Sequence, residues 1–133
     1  MKKREYEKHR DRVLALAKKW NEHLGLNWWR KFEIVYYKAG KDVPKIHKKA
    51  AMWTTISWQY SSAEVAINVP RIATMGDEEL EWAWFHELMH VFVNQMRPAE
   101  GSTKAETKNE EFVCSRLASA FLWWTAHLRG KSR

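Results

Sequence analysis

From Leu80 to Val93 the chain is apolar at every position except Glu81, His86, Glu87 and His90. Helix signals bracket this run. Thr74 and Asp77 are good N-cap residues, and the acidic cluster Asp77-Glu78-Glu79 suits the positive end of a helix dipole. Helical periodicity then continues to Met96, just before Pro98. A helix that is apolar nearly all round has to be enclosed by the rest of its fold. Its four ionisable residues exclude a membrane span, and inside a core they need partners. The remaining residues therefore have to wrap this helix and give His86, Glu87 and His90 something to bind.

With 133 residues and 45% hydrophobic content, the chain has enough material for one domain, residues 1–133, and too little for two. Nine Trp predict a core rich in large rings. The single cysteine, Cys114, excludes an intrachain disulfide and fits a reducing compartment. Met1-Lys2-Lys3-Arg4 begins like a signal peptide, but the apolar run after it, Val13 to Ala17, is short and flanked by charge. These features predict a soluble, cytoplasmic protein with no membrane partner. Residues 1–50 hold 15 Lys and Arg against 6 Asp and Glu, whereas residues 51–133 hold 8 against 10. Solvated charge on amphipathic elements is the favoured reading of that basic half, with nucleic acid or an acidic partner as the alternative.

Apolar positions recur at helical spacing from Glu5 to Leu24, and Gly25 supplies a stop. Trp28 to Tyr37 is dense in aromatic and β-branched residues and reads as a strand, followed by a basic loop over Val43 to Lys49. Met52 to Tyr60 and the alternating Glu64 to Val69 read as a hairpin turning at Ser61-Ser62. After the apolar helix, residues 99–108 read as a loop and Asn109 to Leu128 as a last helix that stops at Gly130. The order helix, strand, hairpin, helix, helix predicts an α+β domain with a small three-stranded, mostly antiparallel sheet.

His86-Glu87-Leu88-Met89-His90 is an HExxH sequence. Residues four apart sit one turn apart on one helix face, so both imidazoles reach one ion at about 2.0–2.1 Å. Glu87 points away from them, within reach of a metal-activated water whose proton it takes as general base. A catalytic zinc site needs a third protein ligand. No His follows His90 before His127, which leaves a carboxylate, and Asn109-Glu110-Glu111 opens the last helix. Glu111 is preferred, with Val113, Cys114, Leu117, Ala118 and Phe121 as a core-facing set beyond it; Glu110 is the alternative, closer to the middle of that stripe. Ser115, one turn beyond Glu111, is placed to hydrogen-bond a ligand. Cys114 in the same stripe reads as a buried thiol, and the pairs Trp28-Trp29 and Trp123-Trp124 as core packing with one partner partly exposed.

HELMH, the Glu-Phe-Val-Cys-Ser-Arg-Leu-Ala-Ser-Ala run at 111–120 and the Tyr60 to Val69 strand together resemble the gluzincin metallopeptidases. The likeness is to the very small minigluzincins and to zinc-dependent proteases of phages and mobile elements that act on repressors, and it covers about residues 50–125. It implies a zincin-like fold: an N-terminal helix, a three-stranded sheet, an active-site helix and a C-terminal glutamate helix. It also implies zinc as cofactor, a peptide or protein substrate, and Glu64 to Val69 as a sheet edge on which extended substrate docks. The oxyanion-steadying Tyr or His of that family has no assigned position here, and His127, His47 and Tyr60 are candidates. No separate DNA-binding segment is present. The sequence thus predicts a zinc metallopeptidase with His86, His90 and Glu111 as ligands. The rival is a zinc-stabilised binding or regulatory protein with latent or absent catalysis, and a DNA-associated SprT-like protease is the runner-up among enzymes.

Overall fold

The structure, a computed structural model, describes residues 1–97 and 102–131. It is an α+β fold of four helices and one three-stranded mixed sheet: α1 (Lys3–Trp20), β1 (Lys31–Tyr37), β2 (Met52–Ser57), β3 (Ser62–Asn68), α2 (Val69–Ile72), α3 (Asp77–Val93) and α4 (Lys104–Lys131). Pro98 and residues 99–101 of the expected loop lie outside the described residues.

Helix α1 buries His9, Val13 and Trp20 along one face. It stops at Trp20, earlier than the expected Leu24, because residues 21–25 turn the chain back. Gly25 takes a left-handed φ of 74° there, and Leu26 folds into the core behind it. Three side chains of α1 tie it to α3 and to the segment just before it. Lys19 Nζ and Trp20 Nε1 donate to Glu81 at 2.7 and 3.0 Å. Arg12 donates to the carbonyls of Ile72 and Met75 at 3.2 and 2.7 Å and pairs with Asp77 at 2.9 Å, which fixes the start of α3. Asp77 is therefore the first residue of α3 and Gly76 its N-cap, with no side-chain cap from Thr74.

The same guanidinium lies 3.0 Å from His9 Nδ1. Arginine has only donors to offer, so His9 accepts there and stays neutral. Burial, then the charges of Arg12 and Lys8, hold the His9 pKa below its usual 6.5. Protons consequently prefer the unfolded chain, and the contribution of His9 to stability is complete above about 6.5 and lost as the pH falls below it. The thermal midpoint should drop on acidification through that range, and His9→Gln should flatten the drop. An identical slope in the variant would remove His9 from the explanation.

The sheet order is β1-β3-β2, with β1 parallel to β3 and β2 antiparallel to it. The expected hairpin forms, from Met52 opposite Ile67 to Ser57 opposite Ser62, but its turn is Trp58–Tyr60 with Ser61 in a left-handed conformation, so the first strand ends before Tyr60 and Ser62 already belongs to β3. The mostly antiparallel sheet does not, because β1 joins the far side of β3 with a parallel register. Strand β3 is accordingly central, so Glu64 to Val69 is not an edge, and Val69 already begins α2. Composition explains the arrangement. Ala63, Val65, Ala66 and Ile67 are all buried, whereas β1 and β2 carry Lys31, Glu33, Thr55 and Ser57 on exposed positions that suit sheet borders.

Helix α3 lies between β2 and α4. Leu80, Trp84, Leu88 and Val91 are fully enclosed, as the apolar run requires. Large rings contribute less to the core than nine Trp suggest. Trp20, Phe85 and Phe121 form an edge-to-face and stacked cluster with centroids 4.5–5.4 Å apart, but Trp28, Trp123 and Trp124 are exposed.

Helix α4 starts five residues earlier than its apolar pattern indicates, because Thr103 and Glu106 make a reciprocal capping box at 3.0 and 3.1 Å. It runs through Gly130 to Lys131. Its core face is Glu110, Cys114 and Ala118, while Val113 and Leu117, expected inside, are exposed. No helix among the described residues is long and apolar enough to cross a membrane.

Candidate metal centre

One turn of α3 and the first turns of α4 supply the whole cluster. His86 Nε2 is 3.0 Å from one carboxylate oxygen of Glu111, and His90 Nε2 is 3.0 Å from the other. The two Nε2 atoms are 3.1 Å apart. At that distance one ring N–H can donate to the other ring, and with both nitrogens deprotonated the two lone pairs can face one cation. Tetrahedral zinc with nitrogens at about 2.0–2.1 Å sets neighbouring ligand atoms about 3.3 Å apart. The two nitrogens need to separate by only a few tenths of an ångström to meet that value, and His86, His90 and Glu111 form a group that could hold a metal ion. The imidazoles pull the Glu111 carboxyl well below the usual carboxylate range, His86 by hydrogen bond first and His90 after it.

The two glutamates meet different nitrogens of His90. His90 Nδ1 lies 2.6 Å from Glu110 Oε2, on the side of the ring away from the cluster. Nδ1–H donates to that carboxylate, so that Nε2 is the nitrogen that would hold a metal once its own proton is lost. Glu110 is buried and held in turn by Arg97 Nε at 2.8 Å and Asn94 Nδ2 at 3.4 Å. Ser115 Oγ, 3.2 Å from His86 Nδ1, does for that ring what Glu110 does for His90, as the sequence suggests. Trp82 lies against His86 with centroids 5.3 Å apart and donates to Ser119 at 3.0 Å, which limits rotation of the imidazole.

Glu87 stands beside the cluster, outside the triangle. It is buried and accepts a hydrogen bond from the Thr54 hydroxyl on β2. Burial pushes its pKa up, against the opposing pull of Thr54, His90 and His86. Cys114 is fully enclosed, and burial raises its thiol pKa, so it is a neutral core group as expected. A cleft of about 440 Å³ opens over the site, bordered by His47, Trp53 and Thr54 on one side and Arg97, Glu110 and Glu111 on the other.

Sequence reasoning brings together His86, Glu87, His90, Glu111 and Ser115. It misses Thr54, Asn94 and Arg97, whose roles depend on contacts far along the chain and carry no local signal. Of the three oxyanion candidates, only His47 shares the cleft, stacked on Trp53 at 4.4 Å. Tyr60 is exposed beside Arg30 and Lys31, and His127 stacks on Trp123 near the end of α4. Compared with known proteins, the chain matches no family model, no curated protein and no solved structure.

Proposed function

We propose that the chain is a zinc-dependent peptidase with a zincin-like arrangement of helices and sheet. One observation carries the reading: two imidazole nitrogens 3.1 Å apart each lie 3.0 Å from an oxygen of the same carboxylate, with a buried carboxylate adjacent and a cleft above. Two imidazoles and one carboxylate are a donor set suited to zinc with a position left open. Zinc bound there would supply a Lewis acid for a scissile carbonyl and a lowered pKa for water. Glu87 takes the proton from the attacking water and delivers it to the leaving amine, a task that suits a carboxyl whose pKa burial has raised. Thr54 fixes the direction of that carboxylate.

The border strand β2 replaces β3 as the docking edge. It runs beside the site and has one unpaired side, so an extended substrate can add to it by backbone hydrogen bonds. Glu110 and Arg97 position His90. Glu110→Gln preserves shape but removes the charge that Arg97 neutralises and that sharpens the His90 Nδ1–H bond. Zinc affinity should fall about 10–100-fold, as for other groups of this kind. Competition with a chromogenic chelator measures it, and unchanged affinity would show that Glu110 is only a filler.

The proposal as a whole is tested on an unfolded protein substrate. Cleavage should disappear with a chelator and return with zinc. Stoichiometric zinc binding without any cleavage would instead select the rival reading of a zinc-stabilised binding protein.

A further inference from the structure

Beyond the metal centre, a concavity of about 1180 Å³ runs along α3 and α4, lined in part by Phe85, Met89, Phe92, Leu117, Phe121 and Trp124. Val113, Leu117, Trp124 and Leu128 are 43, 42, 53 and 45% exposed, and with Ala120 they form one row along α4. At about 100° per residue, the row lies roughly 150° around the helix from Glu111. Arg116 is the only Lys, Arg, Asp or Glu between Glu111 and Leu128. An apolar face of this length on a soluble helix marks a place where another surface docks.

The row is complementary to itself. When two copies of α4 lie antiparallel across a twofold axis, residue i of one meets residue j of the other and the reverse holds too. With the axis between Ala118 and Ser119, Leu117 falls opposite Ala120, Val113 opposite Trp124, and Asn109 opposite Leu128. Each pair sets a larger side chain against a smaller or polar one, which lets the two rows interlock. Met96 and Phe92, 86 and 36% exposed, flank the same end as Val113, where that register would bring the Trp124 of the other copy. Taken from their fractional exposures, these residues present on the order of 700 Å² per copy, the most a partner could cover on them, against the roughly 800 Å² each partner contributes to a standard interface.

We infer that this face of α4 is covered by a second copy of the chain, in an antiparallel twofold dimer that leaves both metal centres open on the far sides. Sedimentation of the full chain across a dilution series should reveal a species of twice the 15.9 kDa chain mass. Leu117→Glu and Ala120→Lys should each sediment at the chain mass with unchanged circular dichroism. Mixed in equal amounts, they should recover the doubled mass, because the new carboxylate and the new ammonium meet across the axis. Trp124→Glu, on a more exposed side chain, repeats the test should Leu117→Glu fail to fold. A wild type that stays at the chain mass overturns the inference, whether or not it binds lipid vesicles or another protein. So does a dimer indifferent to these variants, and failure of the mixture to re-form overturns the antiparallel register.

Discussion

Glu87→Gln is expected to hold zinc as the wild type does and to cleave peptide about 10²–10⁴-fold more slowly, the usual contribution of a positioned acid-base group. The carboxylate stands outside the triangle of His86, His90 and Glu111, so its loss removes no ligand. Glutamine fills the same volume, and its amide oxygen still accepts from Thr54. What it cannot do is take a proton. Turnover and metal content measured on one preparation separate the two effects. Cleavage that survives the substitution would end the assignment of Glu87 as base, and lost zinc would show that it belongs to the metal shell.

Glu111→Ala attacks the site from the other side. It removes the carboxylate that reaches both Nε2 atoms, and the expected loss of zinc affinity exceeds the roughly 10–100-fold seen for supporting groups. Stability should follow. A ligand present at about 100 times its Kd adds about 2.7 kcal/mol to a folded protein, several degrees in Tm for a domain of this size. The wild type should gain that increment when zinc is added, and Glu111→Ala should gain almost none. A Tm rise of the same size in the variant would mean that the ion binds elsewhere.

The pair Glu110 and Glu111 shows how far the sequence could be read. Residues four apart on a helix must share a face, so the convergence of His86 and His90 follows from the pattern alone. Adjacent residues on the last helix differ by about 100° in direction, and both reach the same imidazole from different sides. Glu111 meets Nε2 of His90 and Glu110 meets Nδ1, a distinction that depends on how α4 rolls against α3.

The sheet shows a second limit. The hairpin of β2 and β3 is local and legible, but the parallel pairing of β1 with β3 joins segments separated by a long connection, and no periodicity encodes it. That pairing alone makes β3 central and leaves β1 and β2 as the borders of the sheet. Burial patterns mislead in a third way: Val113, Leu117, Trp123 and Trp124 look like core residues by composition yet lie exposed, because apolar character does not by itself place a residue inside.

Anomalous diffraction at the zinc edge, on crystals grown with the metal, tests the site most directly. The peak should lie about 2.0–2.1 Å from Nε2 of His86 and of His90, with a Glu111 oxygen at a similar distance and one position left to solvent. A peak held by other side chains, or none at this triangle in crystals that contain zinc, would contradict the account.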